Sequence, residues 1–198
     1  MLPAEGITAF VLGTGPDLPR DRLYRLEGYF TIGVNRIWRF GFTPTVWFRI
    51  DNMATLGRPV EFNPPLTVCD QSVQVSDDEL ALPMRAGPLP QCLNPNRLYH
   101  LPNAGAVAAL WAISLGCYPV VLLGMGCQPD GRLESQLHAM RQALSQVKAM
   151  DYKPRGAYFP TVWQWSDDPI EFDEHMRNYY VRPTDTEQVV RRLREFYA

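Results

Sequence analysis

Five short segments carry the residues of this 198-residue chain that could bind or transfer a charged group. The first is Gly13-Thr14-Gly15-Pro16, which directly follows an apolar run at 7–12. Glycines after a strand let backbone N–H groups approach an anion, and the N-terminus of a following helix favours negative charge. The loop therefore predicts contacts to a phosphate group, with a plain glycine turn as the structural alternative.

Two further segments place single polar residues, Asn35 and Asp51, where the next apolar runs end. Each is a common turn former by itself. At equivalent strand ends beside a glycine loop, the two together suit hydrogen bonds to the ribose or base of a nucleotide. A fourth segment, Asn103-Ala104-Gly105, opens an apolar helix. It predicts either a helix cap with a close-packing glycine or a second set of N–H donors for phosphate.

The fifth segment contains His138, near the start of a helical pattern at 133–150. Histidine changes charge near neutral pH and can act as a general base, although a structural histidine is the alternative.

The chain has no Asp-x-Asp pattern, which favours a metal-independent reaction. Mg²⁺ held by Asp51, Asp130 or Asp167-Asp168 is the alternative.

The elements that would position these residues follow from short apolar runs bounded by glycine, asparagine, aspartate and proline. Such runs predict buried parallel strands, and ligands bind beyond the carboxyl ends of parallel strands. We expect a Rossmann-like α/β domain, with a mostly parallel sheet and helices on both faces, spanning 1–198. The predicted strands are 7–12, 30–34, 45–50 and 120–123, and the predicted helices are 20–26, 104–115, 133–150 and one opened by the capping box Thr184-x-x-Glu187.

Two stretches depart from this regular pattern. Residues 58–102 hold eight of the 18 prolines and predict an insertion or lid with short strands at 66–69 and 97–101. Residues 151–198 form an aromatic-rich segment that ends in the terminal helix.

Composition excludes several classes of protein. The chain has 19 basic and 21 acidic residues, a formal charge of −2, and 46% hydrophobic residues. These values describe a globular chain without a polycationic surface for nucleic acid. Four cysteines without a Cys-x-x-Cys pair are expected to be reduced. No basic leader and no run of about 18 apolar residues is present, so we expect a cytoplasmic protein with no membrane span.

The order of these motifs resembles one enzyme group. Gly13-Thr14-Gly15-Pro16-Asp17-Leu18 is similar to the GxGPSL opening of bacterial sialyltransferases of the Campylobacter type and of motility-associated-factor glycosyltransferases. Asn35 within Gly33-Val34-Asn35-Arg36, then Asp51, Asn103-Ala104-Gly105 and the strand ending at Gly124 follow in the same order. Three departures set the chain apart from the sialyltransferases: Thr14 replaces their asparagine, Ala104 replaces their serine, and Met125-Gly126 replaces an acidic-aromatic pair.

The resemblance implies a glycosyltransferase that takes a nucleotide-sugar donor and a hydroxyl acceptor on a glycan, a protein or a modified nucleic-acid base, as in viral DNA hypermodification. It implies that the glycine loop, Asn35, Asp51 and Asn103-Ala104-Gly105 hold the nucleotide and that His138 is the base. A DNA acceptor would need arginines such as Arg36, Arg39 and Arg49 to face the site. Two alternatives stay open: a diphosphokinase resembling archaeal hydroxymethylpterin pyrophosphokinases, which share the glycine-loop architecture, and a nucleotide-binding module without catalysis.

Overall fold

The fold was analysed in a computed structural model, which describes residues 2–15, 18, 20–52, 57–88, 90, 93–101, 103–125 and 183–198. The described strands are β1 Ala9–Leu12, β2 Phe30–Val34, β3 Val46–Arg49, β4 Leu66–Asp70, β5 Leu80–Leu82, β6 Met84–Arg85, β7 Leu98–Tyr99 and β8 Val120–Leu123. The described α-helices are α1 Ala104–Ser114 and α2 Thr186–Tyr197. Three 3₁₀-helices complete the set: η1 Arg20–Leu26, η2 Ile37–Phe40 and η3 Gln71–Val73.

Six of these strands form one parallel sheet in the order β5-β4-β3-β2-β1-β8. The chain moves outward in one direction from β1 to β5, and β8 then pairs with the other side of β1. This reversal of strand order is the topological switch point of an open α/β sheet. The predicted α/β, Rossmann-like fold class is confirmed.

The sheet buries apolar side chains on both faces, because successive residues of a strand point to opposite sides. On β1, Ala9 and Val11 join a core packed against α1 and α2. Phe10 and Leu12 join a second core that includes residues of η1 and η2. All four side chains are fully buried, which explains why the strand sequence is apolar without alternation.

Helix α1 is buried nearly all round, as its apolar sequence predicts. The Asn103 side chain caps its first turn, and Leu115 follows its last residue as the C-cap. Gly116 then adopts a left-handed conformation with φ of 86°. Glycine tolerates this conformation without steric cost, so it ends the helix as predicted.

The proline-rich segment 58–102 contributes more to the sheet than its sequence suggests. The predicted strand at 66–69 is present as β4, and the one at 97–101 shortens to β7. β5 also joins the main sheet, and β6 pairs with β7 in a separate two-stranded sheet. β5 and β6 were not predicted, because strands of three and two residues carry almost no periodicity. The lid role of this segment stays a prediction.

Helix α2 begins one residue later than its predicted capping box implies. Asp185 is the N-cap, and its side chain accepts a hydrogen bond from the Gln188 amide at 3.0 Å. The Thr184 amide instead donates to the Gly28 carbonyl at 2.7 Å. The prediction that Thr184 caps this helix is therefore wrong, since aspartate performs the same capping role one residue later.

The end of α2 is tied to α1 through Tyr197. Its hydroxyl accepts a hydrogen bond from Trp111 Nε1 at 3.1 Å and donates to the Pro95 carbonyl at 2.7 Å. Burial raises the Tyr197 pKa to about 12, so the phenol stays protonated and can donate. This contact joins three distant parts of the chain on one face of the sheet.

Two of the four cysteines are described, and both are free and buried, as expected. Burial, with the nearby Glu79 carboxylate, raises the Cys69 pKa to about 12. Burial raises the Cys117 pKa as well. Both thiols are therefore protonated and act as small apolar groups in the core.

Candidate functional site at the carboxyl edge of the sheet

All the predicted strand-end residues that are described lie at one edge of the sheet, because the strands that precede them run parallel. β1, β2, β3 and β8 end before Gly13, Asn35, Ile50 and Gly124, respectively. The register pairs Leu12 with Gly33 and with Leu123. This edge adjoins the switch point between β1 and β8, where α/β proteins bind ligands.

The glycine loop after β1 is bonded to the end of β8. The amide of Gly13 donates to the Leu123 carbonyl at 2.8 Å, and the amide of Gly15 donates to the Gly124 carbonyl at 2.8 Å. A Cβ atom on Gly13 would collide with the Gly124 carbonyl oxygen. Gly124 itself has φ of 66°. Gly13 and Gly124 are therefore required for close backbone packing, whatever else the loop does.

Met125 fills the space between this loop and the start of α1. Its sulfur would lie 2.9 Å from a Cβ on Gly13, and a Cβ on Gly105 would collide with it. The Met125 side chain is buried. The chain thus brings Gly13 and Gly105 to one place, as the sequence predicts, and a thioether separates them.

The first turn of α1 uses its own cap. Asn103 Oδ1 accepts hydrogen bonds from the amides of Gly105 at 2.8 Å and Ala106 at 3.3 Å. The capping interpretation of Asn103 is confirmed by this geometry. Within the described part of the chain, the Thr14, Asn103 and Ala104 amides are the N–H groups of these two segments that have no acceptor.

Asn35 and Asp51 meet as a pair at the ends of β2 and β3. Asn35 Nδ2 donates to Asp51 Oδ2 at 2.7 Å, although 16 residues separate them in sequence. Asn35 is half-buried and Asp51 is exposed, so the pair lies at the surface of the edge. Thr14 is also exposed. Leu12 pairs with Gly33, and Thr14 and Asn35 each follow one of these two residues by two positions, so they occupy equivalent positions beyond β1 and β2.

The backbone of Asn35 is fixed in an uncommon conformation. Its φ of 46° makes it the one residue other than glycine with positive φ among those described. Its amide donates to the Phe48 carbonyl at 3.0 Å, and its carbonyl accepts from the buried indole of Trp47 at 2.7 Å. Asparagine adopts left-handed backbone more readily than most residues other than glycine, so this conformation explains why an asparagine stands at the turn.

One oxygen of this pair has no hydrogen-bond partner. Asn35 Oδ1 is buried and unsatisfied. Leaving a buried acceptor unpaired costs about 1–3 kcal/mol, so most such atoms in folded proteins find a partner. Asn35 Oδ1 is one of three such buried side-chain atoms among the described residues, with Trp38 Nε1 and Arg97 Nε, and a donor from a water or a ligand group would satisfy it.

A buried ion pair supports the end of β3, two residues before Asp51. Arg49 is fully buried, and its guanidinium contacts the Glu79 carboxylate at 2.6 and 3.3 Å. It also donates to the carbonyls of Val73 at 2.7 Å and Asp51 at 3.5 Å. Burial raises the pKa of Glu79, but hydrogen bonds from Arg49 and the Val75 amide outweigh it and hold that pKa below its ordinary value.

Because Arg49 is buried, one requirement of a DNA acceptor is not met. A nucleic-acid phosphate would have to reach its guanidinium, which is instead enclosed with Glu79. Arg39 lies with its guanidinium 5.5 Å from the centre of the Trp38 ring. Arg49 therefore does not face the site as that hypothesis would need.

The sequence-predicted site residues thus divide into three groups. Asn35 and Asp51 are in direct contact, and Gly13 and Gly105 converge on Met125. Thr14, Gly15, Asn103 and Ala104 belong to the same two segments. Pro16 and His138 lie outside the described residues. For all ten, the role as nucleotide ligand or catalytic base stays a prediction.

Sequence reasoning missed how three residues shape this edge: Trp47, Met125 and Glu79. Trp47 lies within a predicted strand, and Met125 is part of a departure from the sialyltransferase motif. Nothing local shows that an indole would bond to Asn35 or that a thioether would separate two glycines. Glu79 follows Asp77-Asp78 in an acidic, exposed-looking stretch. Nothing local in the sequence indicates that Glu79 is buried, because glutamate is rarely buried without a charged partner.

A cavity of about 940 Å³ lies elsewhere, near the amino ends of β4 and β5. Its lining includes Arg58, Glu79 and Arg194, together with Asp77 and Asp78, and none of the predicted site residues. The lining therefore carries charges of both signs. Arg58 and Arg194 each donate to a backbone carbonyl, of Phe62 at 2.9 Å and of Pro65 at 2.8 Å, so both are partly occupied in supporting loops.

The described residues contain neither a metal-binding cluster nor a membrane-spanning helix. No cluster of three or more histidine, cysteine, aspartate or glutamate side chains could hold a metal ion there. Neither described helix is long and apolar enough to cross a bilayer.

Comparison with protein-family models, with curated proteins and with solved structures finds no match to this chain.

Proposed function

We propose that this chain is a glycosyltransferase that binds a nucleotide-sugar donor at the carboxyl edge of its parallel sheet and transfers the sugar to a hydroxyl acceptor. The observation that carries the nucleotide site is the Asn35–Asp51 pair, which ends two strands next to β1 and leaves a buried acceptor unsatisfied. The choice of sugar transfer rests on the ordered resemblance of the motifs to the bacterial glycosyltransferases.

In this proposal, the nucleotide lies across the ends of β1, β2 and β3. The amides of Thr14, Asn103 and Ala104 are the donors left uncommitted for its phosphates. Donors already aimed at a position where negative charge develops stabilise the transition state. Gly13 and Gly15 contribute indirectly, because their amides hold the loop against β8.

The reaction itself needs a base for the acceptor. His138 takes the proton of the acceptor hydroxyl, and the acceptor oxygen forms a bond to the anomeric carbon. The bond between that carbon and the phosphate oxygen breaks, and the nucleotide leaves with the electron pair. General-base catalysis of this kind contributes about 10²–10⁴-fold to rate.

Thermal denaturation with a panel of nucleotides, nucleotide sugars and nucleoside triphosphates tests the nucleotide site. We expect nucleotide sugars to raise the melting temperature, because a ligand that binds only the folded state stabilises it. Stabilisation by ATP with Mg²⁺ alone would support the diphosphokinase class instead. A panel without any shift would contradict the proposal.

His138→Ala tests the catalytic step. With the stabilising nucleotide sugar and a mixture of glycan, peptide and DNA acceptors, we expect the variant to bind the donor normally and to lose transfer by about 10²-fold or more. His100→Ala is the matched control, because His100 is exposed and lies outside the proposed site. Equal turnover in wild type and His138→Ala would remove this residue from the mechanism. Donor binding with no transfer by wild type would indicate a binding module.

A further inference from the structure

The orientation of the Asn35 side-chain amide is fixed by its neighbour. A carboxylate oxygen only accepts hydrogen bonds, so the amide group that contacts Asp51 must be the donor Nδ2. The 2.7 Å contact to Asp51 Oδ2 therefore directs Oδ1 away from Asp51. The backbone cannot rotate freely to change this, since both its amide and its carbonyl are bonded to β3, to Phe48 and Trp47.

The oxygen atoms of the Asn35–Asp51 pair are acceptors, and the second N–H of Asn35 Nδ2 is the one donor that the pair adds to them. Asn35 Oδ1 has no donor, and the Asp51 carboxylate is exposed beside it. A phosphate offers further acceptors and negative charge, so it would meet repulsion here. A hydroxyl or amino group of a ligand would supply the missing donor, and a hydrogen bond to a charged acceptor is about twice as strong as one between neutral groups.

We infer that Asn35 is a specificity-determining residue that requires a hydrogen-bond donor, O–H or N–H, on the nucleoside part of the nucleotide. This inference rests on the proposed nucleotide site. It also orients the ligand: the nucleoside lies at the ends of β2 and β3, and the phosphates lie away from Asp51, toward β1. Three kinds of nucleoside group carry such donors: the ribose hydroxyls, the exocyclic amino group of cytosine, adenine or guanine, and the ring N–H of uracil, guanine or hypoxanthine.

Binding requires a local shift that uncovers Oδ1. This shift does not disrupt a strand, because Asn35 follows the last residue of β2. Discrimination by a buried, otherwise unpaired polar group is strong, since an analogue without the matching group leaves the acceptor unsatisfied.

The test is a set of dissociation constants measured by calorimetry on wild type. The probes are CMP, UMP, AMP and IMP, and the 2′,3′-dideoxy form of the tightest binder. We expect removal of one donor class to weaken binding about tenfold or more, which corresponds to about 1.4 kcal/mol. Weaker binding of UMP than of CMP, or of IMP than of AMP, would identify the exocyclic amino group of the base. The reverse order would identify the ring N–H that UMP and IMP carry instead. A weaker dideoxy form would identify the ribose hydroxyls.

Two variants locate the effect. Asn35→Gly suits the left-handed backbone, removes the amide and should bring the ratio of the two dissociation constants to about one. His100→Ala is the control, because His100 is exposed and lies outside the proposed site, so it should keep the discrimination. Comparable melting temperatures establish that both variants are folded.

Each outcome is decisive. Equal wild-type affinity for every probe and its donor-deficient analogue would overturn the inference and leave the nucleotide site standing. Full discrimination by Asn35→Gly would do the same. Absence of binding by every nucleotide and nucleotide sugar tested would overturn the nucleotide site and, with it, this inference.

Discussion

At the β1/β8 end of the carboxyl edge, the chain is held by close backbone packing, whereas at the β2/β3 end it is held by polar and charged side chains. Gly13 and Gly124 approach so closely that neither tolerates a side chain, and Met125 fills the remaining space. At the other end, Asn35 bonds to Asp51, and Arg49 to Glu79.

The difference shows that a glycine or a polar residue can stand at a strand end for two reasons, internal packing or ligand binding. A glycine can be required by its neighbours without any ligand, as Gly13 is by Gly124. An unsatisfied buried oxygen has no such internal explanation. The β2/β3 end therefore carries the stronger argument for binding, although the glycine loop is the more familiar sequence motif.

The largest effect should come from Arg49→Met. This change leaves the Glu79 carboxylate buried without its counter-charge, which costs about 3–5 kcal/mol of unfolding free energy. Chemical denaturation measures the loss. The double variant Arg49→Met, Glu79→Leu should recover most of it, because no unpaired charge remains. A loss below about 1 kcal/mol in the single variant would mean that the pair does not hold this end.

The same pair has a pH signature. The Glu79 pKa lies below its ordinary value of 4.5 in the folded protein. Its contribution to stability is therefore fully present above about pH 4.5 and is lost as pH falls through the folded-state pKa. In Arg49→Met the burial of Glu79 is no longer opposed by Arg49, so its pKa is raised. The stability gap between wild type and this variant should therefore narrow on acidification from that raised pKa down to the lowered pKa of the wild type. A gap that stays constant from pH 7 to pH 3 would contradict this origin.

The next effect should come from added methyl groups at the packed end. Gly13→Ala and Gly105→Ala should each lose about 1–3 kcal/mol by overpacking. Met125→Ala should partly rescue Gly105→Ala, because that clash is with the Met125 side chain. It should not rescue Gly13→Ala, whose clash with the Gly124 carbonyl remains. A double-mutant cycle measures both couplings, and equal rescue of the two would refute the assigned packing.

The smallest effect should distinguish two variants of Asn35. At φ of 46°, Asn35→Ala adds strain that Asn35→Gly avoids, so the glycine variant should be more stable by about 1–2 kcal/mol. Both lose the bond to Asp51, so the comparison isolates the backbone. Thermal and urea unfolding measure the difference. Equal stability would indicate that the backbone relaxes when the amide is removed.

The individual elements could be predicted because their signals are local. Apolar runs ending in Gly13, Asn35, Asp51 and Gly124 predict strands whose ends share one edge, and the run before Gly116 predicts a buried helix. Short strands such as β5 were missed because three residues show almost no periodicity. The exact cap of α2 was missed because neighbouring residues offer equivalent capping signals. Thr184 and Asp185 are both good caps by sequence.

Contacts between distant residues were decided only by the tertiary structure. Asn35 and Asp51 could be predicted to share an edge, but the direct bond between them, the indole of Trp47 on the Asn35 carbonyl, and the unsatisfied Oδ1 depend on strand register and backbone dihedrals. Arg49 and Glu79 are 30 residues apart. Residue type and spacing limit which groups can meet, whereas packing decides which of them meet and which atom is left without a partner.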